Sequence, residues 1–237
     1  MIMKVHKLLT LLWNGGDINR KGKCLAAWEA ACKNKKDGGL GIIDINKQNK
    51  ALLLKFLDKF YNHVDTPWVR LTWDKLYLSH NTPPHARHPS GSFWWKDILK
   101  QSSLYRSMTV CCPGNGHSIL FWADLWVANC LKESLPRLYS FAKRKKCSIS
   151  QFMQNDTNSN FFLPLSPEAA QELQTQNFLS SFDWNTERSD IWAYRWNPST
   201  SFFSKKAYHL LLGDHQASPL FEWMWKGNNL GKHKFFF

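Results

Sequence analysis

The sequence predicts an α+β protein, with a helical first third, a β-prone middle and a mixed tail. Three observations carry this. Apolar residues recur at helical spacing through residues 24–62. Two short β-prone runs flank Pro-Gly-Asn-Gly at 113–116. In "DIWAYRW", residues 190–196, aromatic Trp192, Tyr194 and Trp196 alternate with Ile191, Ala193 and Arg195, the spacing of a strand with one aromatic face. The polar stretches "SHNTPPHARHPSG" (79–91), "NDTNSNFFLPLSP" (155–167) and "GDHQASP" (213–219) separate these regions.

Taken in order, Leu8 to Trp13 is an apolar run preceded by Lys4, His6 and Lys7. It reads as an amphipathic helix, since a membrane span needs about 20 apolar residues. "CLAAWEAACKNKK" sets Leu25, Trp28 and Cys32 on one face and ends in lysines, where a helix dipole favours positive charge. A helix over about Cys24–Lys35 is expected. Gly38, Gly39 and Gly41 then end it. They fit neither a dinucleotide fingerprint nor a Walker loop, and Ile42–Ile45 separate them from the next helix, so they read as a turn. Over residues 48–62, Ala51, Leu52, Leu53, Leu54, Phe56, Leu57, Phe60 and Tyr61 make a broad apolar face, with Lys50, Lys55 and Lys59 towards water.

In the middle, "SMTVCCPGNGHSILFWADLW" (107–126) is expected to form a hairpin with its tip near Asn115, because Pro-Gly-Asn-Gly supplies the positive φ values of a tight turn. In the tail, Trp192, Tyr194 and Trp196 form the buried side of a strand, "NPST" turns the chain into "SFFS", and "KKAYHLLLG" is a helix capped by Ser204 and stopped at Gly213. There is no internal repeat.

Composition bounds the function. The 237 residues (27.7 kDa) are 43% hydrophobic, with 13 Trp and 16 Phe, ample for a packed core. A formal charge of +13 points to polyanionic partners, because clustered Lys and Arg release the counterions of a phosphate backbone. Residues 1–62 hold 12 Lys and Arg against 5 acids, so basic density is highest there. Six cysteines in a chain of this length, without a secretory leader, imply a reducing setting, nuclear or cytoplasmic rather than secreted, with no membrane.

Chemistry-bearing candidates are few. Metal ligands could come from His85 and His88, or from Cys111, Cys112 and His117, but adjacent cysteines face opposite sides of a strand and no second pair stands at zinc spacing. No metal and no cofactor is expected. Asp97, Asp124, Asp183 and Asp190 show no pairing that spacing enforces, and Asp124 reads as the cap of the turn after it. No catalytic residue follows from these. For nucleic-acid backbone contact the candidates are Lys33, Lys35, Lys36, Lys50, Lys55 and Lys59, which share one face if the two first helices pack side by side. The densest run, Lys143, Arg144, Lys145 and Lys146, reads either as a solvated surface or as a second basic patch.

Five blocks carry a resemblance: "FLDKFY" after "NKALLLK", "GSFWWKDIL", "GNGHSILFWADLW", "SFFSKKAYHLLLG" and "WMWKGNNLGKHKFFF". In order and spacing they resemble the region downstream of the polymerase domain in plant LINE-type (non-LTR) retrotransposon reverse transcriptases. The resemblance implies a helical thumb-like region (1–78), a linker (79–91), a β-hairpin-containing module (92–154), a linker with a short helix (155–185), and the hairpin-helix start of a zinc-binding module (186–237). That family polymerises with paired aspartates that hold two metal ions. This chain contains no Asp-Asp, and the module's zinc ligands are expected beyond Phe237. The implied chain is a non-catalytic fragment that contacts RNA or an RNA–DNA hybrid; the alternative is a decayed or domesticated remnant that serves protein interaction or has no function.

Overall fold

The longest helix, Ile45–Tyr61, begins where its capping residue places it. Asp44 Oδ1 accepts from the backbone N–H groups of Asn46 (2.9 Å) and Lys47 (3.2 Å), satisfying donors that the first turn of a helix leaves orphaned. Ala51, Leu54, Leu57, Phe60 and Tyr61 recur along it at helical spacing and are completely buried. In this computed structural model the described residues are 27–78, 92–174, 187–195, 202–213 and 219–227. They form two compact units, one from Met1–Leu52 with Phe203–Phe237 and the other Leu53–Phe202. The fold is α+β: the described residues hold mostly short helices and one two-stranded antiparallel sheet, which lies in the second unit.

In the first unit the glycines act as a turn. The Trp28–Ala31 helix is followed by a 3-10 turn at Lys35–Asp37. Backbone N–H groups of Gly39, Leu40 and Gly41 then return to the carbonyls of Asn34, Ala31 and Lys33. A helix running on to Lys35 is therefore not formed: the carbonyls of Lys33 and Asn34 close the glycine turn instead. Gly38 has φ +82°, and a Cβ there would lie 2.7 Å from the ring of Phe221. Only glycine suits both the left-handed backbone and that close approach. Ser204–Leu212 is a helix ending at Gly213, φ +87°, as expected. Ser204 is its first residue rather than its cap, which is Phe203, and no side chain caps that end.

The second unit has an aromatic core. Phe60 stacks on Trp73 (4.6 Å, 5° between planes) and meets Tyr77 and Trp95 at an angle. Tyr61 stacks on Tyr105 and leans on Trp192. Beside these, Phe121 stacks on Phe152 at 3.7 Å and Trp122 meets Tyr139 edge-on. Each such pair adds about 0.5–1.5 kcal/mol beyond the area it buries. Three of the buried indoles are anchored: Trp73 donates to the Phe60 carbonyl, Trp95 to the Tyr77 hydroxyl and Trp192 to the Ser118 hydroxyl.

The sheet overturns the expected hairpin. Strand β1, Thr109–Cys112, pairs with β2, Ile191–Tyr194, in the register Thr109↔Tyr194 to Cys112↔Ile191. The run beyond Asn115 does not pair back on β1 as a strand. Its turn wraps a carboxylate instead: Asp190 accepts from the backbone N–H groups of Gly114, Gly116 and Ser118 and from the Ser118 hydroxyl, all at 2.8–2.9 Å. The donors that a hairpin would use are thus committed to the residue just before β2, which sets β2 beside β1. The alternation in β2 is as expected, with Trp192 and Tyr194 buried. Asn62 pairs its amide with both the N–H and the carbonyl of Trp192, covering backbone groups that a bare edge would expose. Trp196 and the "NPST" turn, residues 197–200, lie outside the described residues.

Candidate nucleic-acid interface

Arg106 projects from the Ser102–Met108 helix into the core of the second unit. Its guanidinium lies 4.9 Å from the ring centroids of both Tyr61 and Trp192, a doubled cation–π contact. It donates to the Tyr61 hydroxyl (3.2 Å) and the Ser118 carbonyl (3.0 Å), and it pairs with Asp124. Asp124 does not cap the turn after it. Its Oδ2 accepts from the Leu120 N–H at 2.6 Å, closing the turn before it, and its side chain is 1% exposed. The aromatic residues of "FWADLW" pull that turn inward, so the acid goes in with them and needs a buried cation. Among the described residues Asp124 Oδ1 has no hydrogen-bond partner.

Electrostatics follow from burial. Desolvation pushes the Asp124 carboxyl above its ordinary range against the pull of Arg106. Burial works against charge on Arg106 as well, but Asp124 and Tyr61 outweigh it and hold the guanidinium protonated. Burial also raises the Tyr61 hydroxyl and lifts the Cys111 thiol well up, so neither is a ready nucleophile.

Above this pair opens a cleft of about 580 Å³. The Ser102–Met108 helix gives one wall with Ser102, Ser103 and Ser107, and the 120–133 segment gives the other. Lys132, Lys145, Lys146 and Arg195 supply basic side chains, with Glu133 as an acid among them. Lys145 and Lys146 come from the expected basic run. Residues 143–146 form an exposed loop, and the chain is held on either side of it by single bridges, Ala142 to Phe161 and Leu120 to Ser148. Lys143 is fixed further: its ammonium donates to the Ser159 carbonyl at 2.9 Å. Lys145 sits 5.1 Å from the Tyr139 ring centroid.

The other basic candidates fall as follows. Lys33 is half-buried, Lys35 and Lys36 are exposed in the 3-10 turn, and Lys50 is exposed on the long helix, all in the first unit. The Lys35 ammonium lies 4.9 Å from the Trp225 ring centroid. Lys55 and the half-buried Lys59 belong to the second unit, one helical turn apart. Of the acids, Asp97 pairs with Lys100 at the surface and Asp190 holds the glycine turn. Asp183, His85 and His88 lie outside the described residues. Cys111 is buried and Cys112 exposed, on opposite faces of β1. Among the described residues no group of three or more His, Cys, Asp or Glu could hold a metal ion, and no helix is long and apolar enough to cross a membrane. Sequence reasoning missed Lys132 and Arg195 as part of a basic site, because each is an isolated charge that only the fold brings near the 143–146 loop.

No family model matches the chain, and no solved structure matches it. It is similar to two proteins of Arabidopsis thaliana. One is named "Putative ribonuclease H protein At1g65750", 23% identical over 234 residues, which cover 92% of this chain and 36% of that protein. The other is named "Uncharacterized mitochondrial protein AtMg00310", 26% identical over 125 residues, 52% of this chain and 81% of that protein. The chain thus spans about a third of the length of the first relative.

Proposed function

We propose that this chain is a nucleic-acid-gripping segment of a plant LINE-type retroelement reverse transcriptase, without a catalytic centre of its own, holding RNA or an RNA–DNA hybrid by its backbone. The observation that carries the reading is the exposed Lys143–Lys146 loop, held at both sides, with two of its lysines lining a cleft together with Lys132 and Arg195. A net charge of +13 supports it, as does likeness to a protein whose name refers to ribonuclease H, an activity directed at nucleic acid. Lys33, Lys35, Lys36 and Lys50 in the first unit and Lys55 and Lys59 in the second are further candidates for backbone contact. The sequence holds no Asp-Asp for two-metal polymerisation, which supports a role in grip rather than turnover.

A second reading, a remnant serving protein interaction, is favoured by one feature. Phe93 is 88% exposed, beside Trp94, which packs edge-on against Phe56 and Trp68. One comparison separates the two readings. Replacing Lys143, Arg144, Lys145 and Lys146 together by Gln should weaken binding of an RNA–DNA hybrid at least tenfold without moving the unfolding midpoint, because exposed lysines add little to stability. Unchanged affinity in this variant, with loss on replacing Lys35, Lys36, Lys55 and Lys59, would move the grip to the helical set. Hybrid binding by neither the parent chain nor the variants would leave the interaction reading.

A further inference from the structure

The basic run at 143–146 is interleaved with aromatic rings. The Lys143 ammonium lies 6.0 Å from the ring centroid of Phe162, and the Lys145 ammonium 5.1 Å from that of Tyr139. Phe162 is 60% exposed and Leu163 beside it 66%, so an open apolar surface adjoins the charge. Alternation along the chain puts it there: Phe161 is buried against Trp122 and Phe152, and Phe162, the next residue, stands on the outside. The backbone beneath the ring is fixed. Ala142 bridges Phe161, the Phe162 N–H donates to the Phe141 carbonyl at 2.9 Å, and the Lys143 N–H donates to the Asn160 carbonyl at 3.0 Å. Charge around it is one-sided, because from Ser134 to Asn155 the chain carries five Lys and Arg and no acid. A protein docked on Phe162 and Leu163 would have to desolvate or neutralise those cations as well. An unpaired nucleic-acid strand matches both parts of the surface, with flat base faces for the ring and a line of phosphates for the cations.

We propose that this surface takes single-stranded nucleic acid, with a base stacked on Phe162 and the neighbouring phosphates on Lys143, Arg144, Lys145 and Lys146. The proposal rests on the nucleic-acid reading above and deepens it, from a grip on the backbone alone to capture of an unpaired base. The cations supply affinity that any strand shares. The ring adds a contribution that only an exposed base receives, and it does so without regard to sequence, because every base has a π-face. Since the backbone that carries the ring is already hydrogen-bonded, little ordering is left to oppose binding.

The test uses the full chain and fluorescence anisotropy with two probes that carry the same phosphates. One is an oligothymidylate of about 12 nucleotides, within the span such sites cover, and the other is its abasic counterpart, in which every base is missing. The parent chain should bind the oligothymidylate about tenfold more tightly than the abasic strand, a factor that one base–aromatic stack supplies. F162A should remove most of that difference while leaving the abasic affinity and its salt dependence unchanged, and F162W should retain it. Replacing residues 143–146 together by Gln should weaken binding of both probes. Affinities of the parent chain for the two probes within about twofold of one another, or a difference that F162A leaves intact, would overturn stacking on Phe162. The backbone grip would then stand, with the apolar surface left to a protein partner. Absence of binding to either probe would overturn both.

Discussion

Asp58 is a carboxylate inside an aromatic core, and its surroundings decide how the protein responds to acid. It accepts from the hydroxyls of Tyr194 (2.8 Å) and Tyr105 (3.2 Å) and from the Asn62 amide (3.3 Å). Burial raises its pKa above the ordinary aspartate value, and those three hydrogen bonds oppose the rise without cancelling it. An acid raised in the folded state holds its proton more tightly there. Its contribution to stability is therefore fully present below the unfolded value near 3.9 and is lost as pH rises through the folded value. D58N removes that titration while keeping an acceptor for the tyrosines. Denaturant midpoints of both proteins between about pH 3.5 and 7 should show D58N gaining on the parent as pH rises. A difference that is flat or runs the other way would contradict the burial account. The residue itself was hidden in the sequence. Asp58 stands between Leu57 and Lys59 on a helix whose periodicity gives no sign that an acid turns inward, and its partners Tyr105 and Tyr194 are remote in the chain.

At the scale of elements, the turn 113–118 does the joining. Gly114 meets the chain just before β2 so closely that a Cβ there would lie 2.2 Å from the Arg188 carbonyl oxygen and 2.7 Å from that of Ser189. G114A must push the two segments apart and lengthen the hydrogen bonds to Asp190. A cost of about 1–3 kcal/mol is expected, read from the urea midpoint. A loss below about 0.5 kcal/mol would mean that the turn is not what sets β2 beside β1. The same turn shows what was legible. Strand character was visible at 109–112 in the β-branched Thr and Val, and at 191–194 in the alternation that buries Trp192 and Tyr194. Pairing was not visible, because Pro-Gly-Asn-Gly advertises a hairpin while the acceptor that claims its N–H groups lies more than 70 residues away. The long helix was legible from its apolar spacing, but its start was misplaced by about a turn: Asp44, which caps it, precedes the region where the apolar face becomes dense.

Across the whole molecule the governing quantity is charge. The basic run at 143–146 was visible as dense charge that reads either as a solvated surface or as a second basic patch, and the fold adds Lys132 and Arg195, which spacing could not have linked to it. On the proposed reading, a net charge of +13 and a cleft of this composition would make phosphate neutralisation the main source of affinity. The most direct measurement is the affinity of the full chain for an RNA–DNA hybrid as a function of salt. A log–log plot should fall steeply, by about 0.9 for each phosphate neutralised if the hybrid behaves as B-DNA does, and the slope should become shallower when residues 143–146 are changed to Gln. An affinity that does not change between about 50 and 200 mM salt would contradict the account, because a backbone grip made of lysines cannot be indifferent to the counterions it displaces.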